Sequence, residues 1–153
     1  MFNTDAYEID CDTPNLAIGY TRLEGESQPR NNLYIHVVKG GPAGGGFSTV
    51  EDLLRFDIAL RDSRLLGPNY AQLLLSRKVP LLDSNVLCGR GFFERQFKNE
   101  RIIGHDGAFP GISSELRMYM ETGYTIAVMA NYDPPISEQI ANWIEERILP
   151  DQN

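Results

Sequence analysis

Apolar positions change their spacing twice along this chain of 153 residues. Val50, Leu53, Leu54 and Leu60, with Phe56 widening the stripe, recur at the interval of an amphipathic helix. The run Ser48-Thr49-Val50-Glu51 in front of them is a capping-box pattern. In it the Ser48 hydroxyl accepts from the Glu51 amide, and the Glu51 carboxylate reaches back to the Ser48 N–H. Gly67-Pro68 ends that unit after Leu65-Leu66, and a second short helix is predicted over 69–76, ahead of Pro80. Residues 79–87 read as a loop.

From Gly89 the interval drops to two. Gly91-Phe92-Phe93-Glu94-Arg95-Gln96-Phe97 and residues 101–105 flank the polar triplet Lys98-Asn99-Glu100, which predicts a hairpin. Over 112–120, Ile112, Ser114, Leu116, Met118 and Met120 share one face, while Ser113, Glu115, Arg117 and Tyr119 share the other. Glu121-Thr122-Gly123 makes a turn. Residues 124–130 are apolar on both faces, as a strand covered on two sides must be. Asp133-Pro134 then opens a last helix, with Asp133 as its cap and Pro134 in its first turn. Ile136, Ile140, Trp143, Ile144 and Ile148 lie along one side of it, and Pro150 stops it.

Helices, then an antiparallel meander, then a helix laid on the sheet make an α+β pattern, with about three to five strands in the sheet. The segments of this single unit are an irregular lead-in over 1–46, a helical segment over 48–78, the meander over 89–131 and the C-terminal helix over 134–149. The lead-in holds one short predicted strand, 16–23, and an apolar segment, 33–38. The glycines of Gly40-Gly41-Pro42-Ala43-Gly44-Gly45-Gly46 read as a tight structural turn. A phosphate loop needs a following Lys-Ser/Thr or a strand feeding a GxGxxG turn, and neither is present.

Composition narrows the classes of partner. An apolar fraction of 42% and a charged fraction of 23%, without low-complexity blocks, exclude disorder of the whole chain. Fourteen basic against 21 acidic residues give a net charge of −7 with no basic cluster, so nucleic acid is not an expected partner. No apolar run approaches the ~18 residues of a membrane-spanning helix, and the first residues do not form a basic-then-apolar leader. Cys11 and Cys88 lack CxxC spacing, and two free, buried thiols are expected. The spacings of His36, Cys88, Cys11 and Asp106 match no metal-ligand rule.

The candidate chemistry gathers in Gly104-His105-Asp106-Gly107-Ala108-Phe109-Pro110-Gly111, between two predicted strands. His105 is able to act as acid, base or hydrogen-bond donor near neutral pH, and its alternative role is an ordinary strand-end histidine. Gly107 favours the first role, because a glycine in a strand lets another backbone or a ligand approach closely. The Ala108 amide would then point at a carbonyl oxygen. Asp106 and His105, being adjacent on a strand, face opposite ways, so a direct Asp–His pair is not expected. Ser113 and Ser114 lack the GxSxG elbow.

Three collinear segments resemble the C-terminal part of the serine β-lactamase and penicillin-binding-protein superfamily, in its class C β-lactamase, D-alanyl-D-alanine carboxypeptidase and esterase branch. Residues Pro42-Ala43-Gly44-Gly45-Gly46-Phe47-Ser48-Thr49-Val50-Glu51-Asp52-Leu53 resemble its P-A-G-G-x-x-S-T-x-x-D-L segment. Gly104 to Gly111 resemble its G-H-x-G-x-x-P-G segment, and 126–131 resemble the last strand with its closing Asn131. The resemblance implies a partial β-lactamase/transpeptidase-like fold that acts on a small acyl substrate. It implies His105, Gly107 and Ala108 as catalytic residues, the Ala108 amide serving as an oxyanion donor. Asp106 and Phe109 would line the substrate, and no cofactor or metal is implied.

The chain also departs from the family. The Ser-x-x-Lys nucleophile and the Tyr-x-Asn that shuttles protons are absent from these 153 residues. In the family both lie upstream of the matching segments, so the expectation is a fragment of a larger hydrolase domain, inactive alone and prone to form homo-oligomers. Asp106 stands where the lactamase form has a hydroxyl that binds a substrate carboxylate. An aspartate there repels such a group, which favours an esterase or peptidase over antibiotic hydrolysis. The rival expectation is a non-catalytic binding domain derived from the same fold.

Overall fold

Two-residue turns drive the architecture. In a computed structural model that describes residues 1–8, 10–76, 78–81 and 84–149, Lys98-Asn99 closes strand β5 (Phe92–Phe97) onto β6 (Glu100–Phe109), and Pro110-Gly111 closes β6 onto β7 (Ile112–Tyr119). β8 (Thr125–Ala130) follows after a turn at Gly123, whose φ is 78°. Ahead of them run the short strands β3 (Val79–Pro80) and β4 (Leu87–Gly89). These six strands form one antiparallel meander in the order β3-β4-β5-β6-β7-β8. The stretch read as a loop over 79–87 thus supplies β3 and the start of β4. Two further strands, β1 (Tyr20–Thr21) and β2 (Arg30–Asn31), make a small separate sheet. β1 is all of the predicted 16–23 strand that forms.

Alternation along β7 serves both faces of the sheet. Leu116 and Met118 join Ile103 and Phe92 in a cluster with Leu60 of α1 (Val50–Arg61) and Ala71 of α2 (Pro68–Leu74). Tyr119 joins Ile102 and Ile126 in a second cluster with Ala141 of α3 (Ile136–Ile148) and with Leu149. The fold is therefore a sheet with helices on both faces, the mixed α+β architecture with a C-terminal helix that the pattern predicted. A fully buried leucine such as Leu60 contributes about 1.5–3 kcal/mol relative to an exposed one.

Four local expectations shift. The N-cap of α1 is Thr49, accepting from the Asp52 amide at 3.3 Å, one residue beyond the Ser48/Glu51 box. The cause is tertiary: the Ser48 hydroxyl bonds Thr4 at 2.8 Å, and the buried Asp52 carboxylate gathers the Asn3 amide, the Thr4 hydroxyl and Arg55. Of the predicted stripe, Val50 and Leu54 are exposed, while Asp52 and Asp57 turn inward. Asp133 does not cap α3. Its N-cap is Pro135, without a side-chain bond, and the Ser113 hydroxyl of β7 accepts from the Ser137 amide at 3.1 Å instead. The buried side of α3 carries Ser137, Ala141 and Glu145, whereas Ile140 and Trp143 lie outside, Trp143 with the Arg147 guanidinium 3.8 Å from its ring centroid.

The glycine-rich stretch is a turn, closed by reciprocal backbone bonds between Gly41 and Gly44 at 2.9 and 3.1 Å. Both cysteines are free thiols, but neither is buried: Cys11 is exposed and Cys88 half-buried. Cys11 lies in the irregular lead-in and Cys88 in the short strand β4. Pro150, the expected stop of the last helix, lies outside the described residues.

Candidate active site

β5 pairs with β6 only as far as Phe93 opposite Gly104. Beyond that point β6 runs on for five residues, His105 to Phe109, with β7 on one side and, among the described residues, no strand on the other. In an antiparallel ladder, residues that exchange both backbone bonds alternate with residues whose N–H and C=O point outward. The two-residue turn makes Phe109 and Ile112 an exchanging pair, hence also Gly107 with Ser114 and His105 with Leu116. Asp106 and Ala108 therefore turn their N–H and C=O groups toward the open edge. The register delivers the Ala108 amide to solvent as an unspent donor.

His105 is exposed at the start of this edge. Its ring lies 4.8 Å from that of Phe93, tilted by 32°, and its Nδ1 lies 2.5 Å from the Asp106 carbonyl oxygen. A carbonyl only accepts, so Nδ1 carries the proton in the neutral ring and Nε2 is left as an acceptor. The carboxylate of Asp106 plays no part in that bond. Asp106 lies across from Glu115 of β7, whose own charge is met by Arg117 at 2.7 Å. Two carboxylates in facing positions make this part of the edge unfavourable for an anion.

Gly107 is approached closely by a neighbouring side chain. A Cβ there would sit 2.3 Å from the Ser114 hydroxyl oxygen, which occupies the space a side chain would need. Ala108 and Phe109 are exposed, and the Phe109 ring stands edge-on to His36 at 6.2 Å between centroids. His36 in turn stacks on Phe47 at 5.8 Å. A cleft of about 460 Å³ takes in His105, Asp106, Gly107 and Ala108 with Phe93 and Glu138. Phe109 is not among its lining residues. A second recess, about 710 Å³, is lined by Tyr7, His36, Phe47, Ser48, Ser114 and Asn131.

The structure thus brings together His105, Asp106, Gly107 and Ala108 along one strand edge and sets Phe109 at the hairpin tip. Among the described residues, the group of His, Cys, Asp and Glu side chains close enough to share an ion is Glu8, Asp10 and Cys11, all exposed, with Glu8 already paired to Lys39. Sequence reasoning missed Asp133 and Asn32, which bind the turn at Pro110-Gly111. Asp133 carried a signal, but it pointed to a helix cap.

The antiparallel sheet with a C-terminal helix packed on it is a partial β-lactamase-like α+β fold. The family model described as Beta-lactamase matches residues 2–149, and the chain belongs to that family. Among solved structures, the chain is similar to a penicillin-binding protein from Bacillus halodurans, with a TM-score of 0.86 and 27% identity over 94% of this chain and 44% of that one. It also shares its fold with a D-stereospecific amidohydrolase from Streptomyces sp., with a TM-score of 0.69 and 23% identity over 92% of this chain and 41% of that one. A D-amino acid amidase from Ochrobactrum anthropi SV3 aligns with a TM-score of 0.66 and 20% identity, over 94% of this chain and 45% of that one. The chain spans less than half the length of each of these three. No curated protein matches it.

Proposed function

We propose that this chain forms one wall of the acyl pocket of a β-lactamase-like serine hydrolase whose nucleophile lies on chain outside these 153 residues. The observation that carries the reading is the outward Ala108 amide, next to a Gly107 that keeps the strand surface bare and an exposed His105 with Nε2 open as an acceptor. In the complete protein a serine oxygen attacks the substrate carbonyl carbon. The Ala108 N–H and the serine's own N–H hold the resulting oxyanion, and collapse of the tetrahedral intermediate expels the alcohol or amine. Water then cleaves the acyl-serine ester and releases the acid. An oxyanion donor of this kind is worth about 3–4 kcal/mol of transition-state stabilisation. His105, with Nε2 open as an acceptor, helps hold the substrate by accepting from an N–H or O–H beside the acyl group. Asp106, opposite Glu115, disfavours substrates with a carboxylate at that place, so esters and amides without one fit better than penicillin-like molecules.

The same reading covers β8. Its outer edge has no strand partner among the described residues, and α1 and α3 flank it on the two faces of the sheet. Chain that completes the domain would cover this edge; without it, copies of the chain associate through it.

A second reading rests on the open β6 edge alone. The outward groups of Asp106 and Ala108 are able to add an extended peptide as a further strand, which makes a binding domain without catalysis.

The test joins the chain to the sequence encoded upstream of it. Ser-x-x-Lys and Tyr-x-Asn in that sequence, with hydrolysis of chromogenic esters or amino-acid amides falling about a hundredfold in His105→Ala, is the expected result. An upstream stop or unrelated domain, with binding of extended peptides and no turnover, favours the second reading.

A further inference from the structure

The β6–β7 hairpin is closed by a turn that does not hold itself. Pro110 at its second position and Gly111 at its third, with Gly111 at φ 76°, are the requirements of a type II turn. That turn matches the twist of paired strands poorly, and it converts to type I by flipping its central peptide. The central peptide here is the one between Pro110 and Gly111, and both of its polar atoms are held from outside the hairpin. The Pro110 carbonyl accepts from Asn32 Nδ2 at 2.9 Å, and the Gly111 N–H donates to Asp133 Oδ1 at 2.8 Å.

Both holders are themselves fixed. Asn32 is buried and donates its own amide to the Gly19 carbonyl at 2.9 Å. The second oxygen of Asp133 accepts from the Arg22 amide at 3.0 Å. Gly19 closes the back of the clamp, since a Cβ there would lie 2.4 Å from the Gly111 carbonyl oxygen. The irregular lead-in therefore ends as a cradle for one peptide plane at the hairpin tip.

We infer that Asp133, with Asn32, is a positioning residue that locks the Pro110–Gly111 peptide and thereby the aim of the Ala108 amide at the open edge of β6. The plane lies one residue beyond the pair Phe109 and Ile112, and that pair sets the alternation which turns Ala108 outward. A flipped plane breaks the closing pair and frees the edge to twist. The catalytic consequence rests on the acyl-pocket reading above; the geometric one does not.

Two variants separate these layers. Asp133→Ala removes both acceptors. Asp133→Asn keeps an oxygen for the Gly111 N–H while presenting an NH2 group to the Arg22 amide. Amide exchange and chemical shifts are followed by NMR on the 153-residue chain. In Asp133→Ala the Gly111 amide is expected to exchange about tenfold faster, as loss of one charge-assisted hydrogen bond produces, and the Ala108 and His105 amide resonances shift with it. In Asp133→Asn, Gly111 protection and the Ala108 shift return most of the way to the parent values. Unmoved Ala108 and His105 resonances beside a deprotected Gly111 would overturn the inference. Should Asp133→Ala unfold, Asp133→Asn decides alone: an Ala108 resonance that moves in proportion to whatever Gly111 protection is lost supports the lock, and one unmoved beside a less protected Gly111 sinks it. In the joined, active protein Asp133→Asn lowers kcat with KM unchanged. A joined parent that turns over nothing defeats the acyl-pocket reading and leaves the amide result to judge the lock.

Discussion

The Tyr119 hydroxyl donates to the Glu145 carboxylate at 2.6 Å, in the buried layer between β7 and α3. Arg95 reaches the same oxygen at 2.5 Å and Arg117 at 3.4 Å, so one carboxylate on the last helix gathers donors from two strands. Burial, and then the Glu145 acceptor, push the ionisation of Tyr119 well above the usual tyrosine range.

Glu145 is the member of this group whose loss leaves the most behind. Glu145→Gln sets a neutral amide among these donors while Arg117 keeps Glu115 at 2.7 Å, so what is lost is the charge assistance of the shared bonds, about 1.5–3 kcal/mol. Tyr119→Phe removes one neutral donor and leaves Glu145 with both arginines, costing about 1 kcal/mol. Urea unfolding of the two variants is expected to rank them in that order. Equal losses would mean that the charge of Glu145 contributes nothing beyond an ordinary acceptor.

Gly107 and Ser114 make a second measurable pair. Gly107→Ala drives a methyl into the Ser114 hydroxyl and is expected to cost about 1–3 kcal/mol, as overpacking does. In a Ser114→Ala background the nearest remaining side-chain atom is the Cβ at 3.7 Å, ordinary contact distance, so the same substitution costs far less. A double-mutant cycle by thermal or urea unfolding gives the coupling directly. Additive costs would show that something other than the hydroxyl excludes a side chain from position 107.

Much of the sheet was legible, because each face of β7 meets a different apolar cluster and the alternation of Leu116 and Met118 against Tyr119 follows from that. The helices were less so, for one physical reason. Asp52, Asp57 and Glu145 fall outside any stripe that apolar spacing picks out, yet each is buried against partners far away in sequence: Asn3 and Thr4, Thr125, and the strand arginines. With those positions inside, the apolar Leu54 of α1 and Ile140 and Trp143 of α3 fall outside. The candidate site divides the same way. The Gly104 to Gly111 string announces its turn and its bare strand surface. The open edge depends on where β5 stops pairing, and the clamp on a carboxylate 22 residues beyond Gly111. Local pattern carries neither.

Acid should loosen the contacts between the lead-in and the rest of the fold. Burial opposes the charge of Asp52, but the Asn3 amide, Arg55 and the Thr4 hydroxyl outweigh it and hold the carboxyl well below the ordinary range. Asp133 is lowered likewise, burial being outweighed by Thr21 and the Arg22 and Gly111 amides. A carboxyl that ionises more readily folded than unfolded adds its full stability above the unfolded pKa, about 4, and loses it as pH falls through the folded value. Stability by urea unfolding is therefore expected to fall below about pH 4, with a shallower fall in Asp52→Asn and Asp133→Asn. An identical acid limb in both variants would remove these two carboxyls from the account.

Association should follow from the outer edge of β8. Val50, Leu54 and Ile58 recur at every fourth position along the exposed side of α1, and Ile140 and Trp143 are exposed on α3. These helices pack on opposite faces of the sheet beside β8. An antiparallel edge pairs with a copy of itself about a two-fold axis perpendicular to the sheet. That operation sets α1 beside its own copy on one face and α3 beside its own copy on the other, so both apolar stripes are covered together. Sedimentation at micromolar concentration is expected to give dimers or larger species for the chain alone. Ile58→Glu combined with Trp143→Glu shifts it toward monomer with the circular dichroism of the fold intact. Both positions are on the surface, so loss of association without loss of structure identifies the interface. A parent chain that sediments as a single monomeric species would show that this edge needs no cover.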